Sequence, residues 1–191
     1  MMLGDLLEER KDAIVGRWGD AVLSAYPDDA AALLRAQKDP FANPLGHSVR
    51  EGTRGIFQAI LGEVDQEALR EALDKIVRIR AVQELPPTEA LSFVFSLRKI
   101  VREVVPESEE GTRHQEDLRE MDRKIDGVAL TAFELYSERR EELSRLRINE
   151  VKRQVAWVFE KMNQRVEGGE EAGEDPANTP SAHENVKRED L

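Results

Sequence analysis

The chain of 191 residues contains no cysteine, and 28 Lys and Arg against 39 Asp and Glu leave a net charge of −11. The missing cysteines exclude disulfides, thiolate metal sites and cysteine nucleophiles and fit a reducing cytoplasm; about 165 foldable residues suffice to bury roughly 70% of the unfolded surface without a cross-link or metal. An acidic chain lacking a broad basic patch argues against nucleic-acid binding, which Lys and Arg drive by neutralising phosphates.

The start, MMLGDLLEERKDAIVGRW, lacks the basic flank and apolar core of a signal peptide, and no apolar run nears the ~18 residues of a membrane span. Leu3 to about Ala25 reads as one helix carrying Leu7, Ile14, Trp18, Val22 and Ala25 in helical spacing. Gly16 and Gly19 weaken it by about 1 kcal/mol each relative to Ala, tolerable where another helix approaches closely. Tyr26–Pro27 ends it, and Asp28–Asp29 open a short second helix with acids at its positive end. In the loop Lys38–Gly46, two prolines hold the residues before them out of helical geometry.

A third helix, from near His47 to about Leu61, presents Val49, Thr53, Ile56 and Ile60 on one face. Gly52, Gly55 and Ala59 form a second face suited to close backbone approach. Asp65 reads as the N-cap of a fourth helix, with Val64 and Leu69 as its hydrophobic staple. That helix continues through Leu73 and Ile76 to about Ala81.

Pro86–Pro87 begins the helix on which the core centres, ending near Val105. Its nine apolar residues are Leu91, Phe93, Val94, Phe95, Leu97, Ile100, Val101, Val104 and Val105. Their burial contributes roughly 14–27 kcal/mol gross, at about 1.5–3 each, before chain entropy is subtracted. Glu107–Gly111 is a polar connection.

From Thr112 to about Arg165 there is no proline, and Gly127 alone is a weak point. A helix of some 50 residues would be roughly 80 Å long, twice the roughly 40 Å diameter of a compact domain of this size. The expectation is that it bends back or leaves the globule. Leu118, Met121, Ile125, Val128, Ala132 and Leu135 form one stripe; Ser137–Glu142 is wholly polar; Ile148, Val151, Val155, Val158 and Met162 form a second stripe, out of phase with the first. With Ile148, Val155 and Met162 at the a positions of a heptad, a parallel homodimer would set Arg147 against Lys152 of the second copy. Packing on a globular surface, antiparallel pairing or a different, acidic partner fits better. From Val166 onward, eight acidic and two basic residues give a net −6, with too little apolar surface to order a chain.

No HExxH, P-loop, GxGxxG or GxSxG occurs, and the three histidines, His47, His114 and His183, are far apart. The neighbouring acids Glu109–Glu110, Glu116–Asp117 and Glu141–Glu142 read as solvated faces. His47, just after Asn43–Gly46, is the polar residue that stands out. A hydrogen-bonded histidine in the loop is the plainer reading; a haem ligand or a pH-sensitive contact is the functional one. Arg78 and Arg80, next to Gln83, read as a structural cluster at a helix end, with an anion or carboxylate pocket as the alternative.

The segments LLEERKDAIVGRWGDAVLSAYP, DPFANPLGHSVREG, RIRAVQ and PTEALSFVFSLRKIVRE, in that order, resemble the RsbRD-type N-terminal domain of RsbT co-antagonists, the sensory part of stressosome proteins, over roughly Leu6–Glu142. The resemblance implies an all-α, globin-like input domain, dimeric and without haem, that biases a signalling output. In stressosome proteins a STAS domain follows; the residues after the resemblance leave no room for one, so kinase sequestration is not carried over.

The expected architecture is therefore all-α, a bundle of about six helices with a long C-terminal helix extending from it. Its predicted divisions are a sensor-like domain at 1–136, a helical arm at 137–165 and an acidic disordered tail at 166–191. The first functional expectation is a non-enzymatic, cytoplasmic regulator, homodimeric, that docks a STAS-type or other signalling protein through Ile148, Val151, Val155, Val158 and Met162, with neither nucleic acid nor membrane insertion. The alternative is a ligand or haem sensor with His47 or His114 in its pocket.

Overall fold

The computed structural model of the chain describes residues 3–105 and 115–170, with side chains to Asn163. His114, the connection Glu107–Gly111 and the tail beyond Glu170 lie outside the described residues. Among those described there are seven helices and no strand: α1 (Leu3–Glu9), α2 (Lys11–Leu23), α3 (Asp28–Ala36), α4 (Pro44–Leu61), α5 (Gln66–Val82), α6 (Pro87–Val104) and α7 (Gln115–Glu170). The all-α expectation holds, and the long C-terminal helix is one uninterrupted element of 56 residues.

Two boundaries differ from the sequence reading. The first predicted helix is two helices, interrupted where Arg10 relaxes to φ −101°, ψ 9°. Hydrogen bonds from Arg10 N to Leu6 O and from Ile14 N to Arg10 O span this point, so the interruption is a local kink. The third predicted helix starts at Pro44, not near His47. The Asn43 side chain caps it by accepting from Gly46 N at 2.8 Å, and Pro44 occupies the first turn, where its missing N–H costs nothing. Asn43 also donates to Leu34 O and Gln37 O, at 2.7 and 2.8 Å, tying α3 to the start of α4. A Cβ on Gly46 would lie 2.3 Å from Asn43 Nδ2, so this cap requires glycine.

The packing of α4 on α5 follows from the small face. A Cβ at Gly52 would stand 2.7 Å from Ile76 Cγ1, and one at Gly55 2.7 Å from Ala72 Cβ. The expected close approach is there. At Gly19, by contrast, a Cβ would make an ordinary contact with Thr53 Oγ1 at 3.8 Å, and at Gly16 it would meet nothing within 4 Å. Those two glycines serve no tight crossing.

α6 is as buried as its composition demands, with Phe95 the exception at 50% exposure. It lies against α2, where the fully buried Trp18 donates its indole N–H to Phe93 O at 2.7 Å. The Trp18 and Phe93 rings sit 6.2 Å apart at 27°. Met121, Ile125, Val128, Ala132, Leu135 and Tyr136 of α7 complete the same core.

The structure divides into two compact units, Met1–Ser144 and Arg145–Leu191. Within the first, the polar run Ser137–Glu142 is fastened to α5. Arg139 Nε donates to Asp74 Oδ1 at 2.8 Å, Arg140 Nη1 to Ala81 O at 3.1 Å, and Arg70 reaches Glu134 and Glu138. Arg139 Nη1 also donates to Glu142 at 2.8 Å, and the bonds of Arg139 to Asp74 first and then to Glu142 hold its guanidinium well above its ordinary pKa.

Candidate interaction surface

The polar residues singled out in the sequence do not converge. His47 is half-buried in the first turn of α4, its backbone N–H bonded to Asn43 O at 3.0 Å. The groups that fasten this loop belong to Asn43. An Asn-Pro-x-Gly run at a helix start, cap followed by N1 proline, was the signal that could have found it.

Arg78 and Arg80 point apart, as residues two positions apart on a helix must: Arg78 is exposed, whereas Arg80 is buried. Arg80 donates to Val22 O at 2.9 Å, and its guanidinium lies over the Tyr26 ring at 5.5 Å. Gln83 donates to the Tyr26 hydroxyl at 2.9 Å, so the expected cluster is real for Arg80 and Gln83. Burial lowers the Arg80 pKa. The cation completes the carbonyl end of α2, where the helix dipole is negative. Clefts of 160, 300, 320 and 460 Å³ open on the first unit, and none of these four is lined by His47, Arg78 or Arg80. Among the described residues no group of three His, Asp or Glu converges as a metal site, and no helix is long and apolar enough to cross a membrane.

The second unit is different in kind. All five residues of its predicted stripe are exposed, with Leu146, Trp157 and Phe159 also uncovered. At 100° per residue, Ile148, Val151, Val155, Val158, Phe159 and Met162 share an arc of about 100°. Arg147 borders this arc on one side, with Lys161 further round the same flank, and Lys152 and Arg145 border the other. Both acids of the segment, Glu150 and Glu160, fall on the opposite face. There Glu150 pairs with Arg153 and accepts from Gln154 at 3.2 Å. Trp157 is also on that face, with Lys161 Nζ 4.5 Å from its ring centroid. The segment Arg145–Asn163 carries five basic and two acidic residues inside a chain of net charge −11.

A family model described as the RsbT co-antagonist protein rsbRD N-terminal domain matches residues 12–151. The chain belongs to the RsbRD N-terminal domain family. The match runs from α2 through the fastened polar run of α7, so α2 to α6 and the ties of α7 to α5 lie within the RsbRD domain, with α1 before it. It ends at Val151, which leaves Val155, Val158 and Met162 beyond it. The RsbRD family is a regulatory one. No curated protein and no solved structure matches the chain.

Proposed function

We propose that this chain is a non-enzymatic, cytoplasmic regulatory domain that acts by protein–protein contact, with the Arg145–Asn163 segment of α7 as its docking surface. One observation carries the reading: Ile148, Val151, Val155, Val158 and Met162 form an ordered apolar stripe left 47–57% exposed. Apolar surface gathered on one helix face marks an interaction site. Membership of a co-antagonist family supports a signalling protein, STAS-type included, as the partner. Self-association, which the family resemblance implies, falls in this reading to the first unit, where Phe95, Leu130 and Phe133 are exposed. No cofactor enters.

The test is crosslinking and pull-down from native lysate with the full chain and its Val158→Asp variant, alongside circular dichroism. Loss of a recovered partner with helicity intact is the expected outcome. Unfolding of the variant would place the stripe in the core and end the proposal, and unchanged recovery would move the site to the first unit. A Soret band gained on adding haem and lost in His47→Ala would replace this reading with a haem sensor.

A further inference from the structure

The stripe on the second unit has the dimensions of a seam for one helix. Ile148, Val151, Val155, Val158 and Met162 alternate three- and four-residue steps, the a/d spacing of a coiled coil, over about four turns and roughly 21 Å. What distinguishes it is the charge along both borders. Arg145 and Lys152 occupy e positions, Arg147 and Lys161 occupy g positions, and the remaining border residues, Gln154 and Phe159, are uncharged. The two acids of the segment, Glu150 and Glu160, lie at c and f, away from the seam.

This arrangement disfavours a second copy of the same helix in either orientation. Parallel pairing sets e against g, and antiparallel pairing sets e against e and g against g. Each choice brings cation to cation, because neither border holds an acid. The chain's own acidic tail does not match either. Its eight carboxylates suit the borders, but Val166, Val186 and Leu191 are its only large apolar residues, too few to fill the seam.

We infer that the seam Ile148–Met162 pairs with an amphipathic helix of another protein whose own apolar stripe is bordered by Asp and Glu. This rests on the docking function proposed above and specifies the partner. Cations on both borders supply attraction to such a helix and repulsion of a like one, and repulsion confers specificity as much as attraction does. A basic amphipathic helix also binds anionic membranes. Here, however, Trp157, the residue best suited to the lipid interface, lies on the far face under Lys161.

The test uses the full chain and two labelled synthetic helices, with Ile and Leu at a and d and either Glu or Lys at every e and g. Fluorescence anisotropy at low salt should show the Glu helix binding at least about tenfold more tightly than the Lys helix. Added salt should narrow that ratio. Lys152→Glu combined with Lys161→Glu should reverse the preference, and Val155→Asp should abolish binding of both. Equal binding of the two helices overturns the inference, as does failure to bind either. So does a dimer in sedimentation that Val155→Asp dissociates without unfolding, which would make the occupant a second copy. Binding to vesicles containing phosphatidylserine, lost in Val155→Asp and unaccompanied by peptide binding, overturns it in favour of a membrane. If Val158→Asp still removes a lysate partner while the Glu helix fails, the docking function survives and the acidic helix does not. If both fail, the docking function itself is lost.

Discussion

Met121, Ile125, Val128, Ala132 and Leu135 are at most 6% exposed, whereas Ile148, Val151, Val155, Val158 and Met162, at similar spacing on the same helix, are 47–57% exposed. Spacing of this kind encodes a need for cover and says nothing about who supplies it. The first stripe is covered by its own chain, in one core with Trp18, Phe57 and Leu73. The residues between the stripes show how the change occurs. Arg139 and Arg140 replace apolar packing by bonds to Asp74 and to the carbonyl end of α5. Beyond Ser144, borders of Arg and Lys surround the second stripe. A stripe bordered by both signs of charge could self-pair; one bordered by a single sign selects a complement.

The sharpest way to break this contrast is to put the same charge into each stripe. Ile125→Asp places a carboxylate at a fully buried position and should cost more than about 4 kcal/mol, the range reserved for unpaired buried charge. Urea denaturation measures it, and a loss below about 1 kcal/mol would mean the first stripe is not core.

A second comparison concerns glycines. Gly52→Ala drives a Cβ to 2.7 Å from Ile76 and should cost about 1–3 kcal/mol by overpacking. Gly16→Ala meets nothing and should stabilise by about 1 kcal/mol, the helix-propensity gain alone. Equal effects at the two sites would contradict the close α4–α5 crossing. Smaller still is Arg139→Ala. Its partners are partly solvated, so about 0.2–1 kcal/mol is expected. A guanidinium whose folded pKa is raised contributes fully at any pH below the ordinary value and loses that contribution only above it. No working pH removes it, so the difference from the parent chain should shrink with salt instead.

Helix periodicity made most of the bundle legible. The small face of α4, the Asp65 cap, the Pro86–Pro87 start and the buried stripe of α7 could each be read from residue types, because each rests on local geometry. What escaped was tertiary. Nothing in the run Leu3–Ala25 marks Arg10 as a kink. Phe95 is indistinguishable in sequence from its buried neighbours until α6 is set against α2. Arg78 and Arg80 look like one cluster, yet only the second is turned inward. The polar run Ser137–Glu142 reads as an exit from the domain because its partners, Asp74 and the Ala81 carbonyl, are more than fifty residues away. Of the candidate surface, the seam was legible and so was part of its charge. The separation of cations to the borders and acids to the back needed the helix to be continuous.

The smallest expected change in stability is the most informative. Val155 lies at the middle of the exposed seam, between Val151 and Val158, in a segment of α7 with no Pro or Gly. Val155→Asp removes no buried contact, and at an exposed helix position the two residue types differ little in propensity. Unfolding free energy should therefore stay within about 0.5 kcal/mol of the parent chain, while binding of an acid-bordered helix falls below detection. Loss of stability on the scale of Ile125→Asp would show that the second stripe is a core in disguise. Intact stability with intact binding would show that the apolar seam is not the contact, leaving the cations alone to account for association. Only intact stability with lost binding makes the two stripes what their surroundings indicate, one completed within the chain and the other by a second protein.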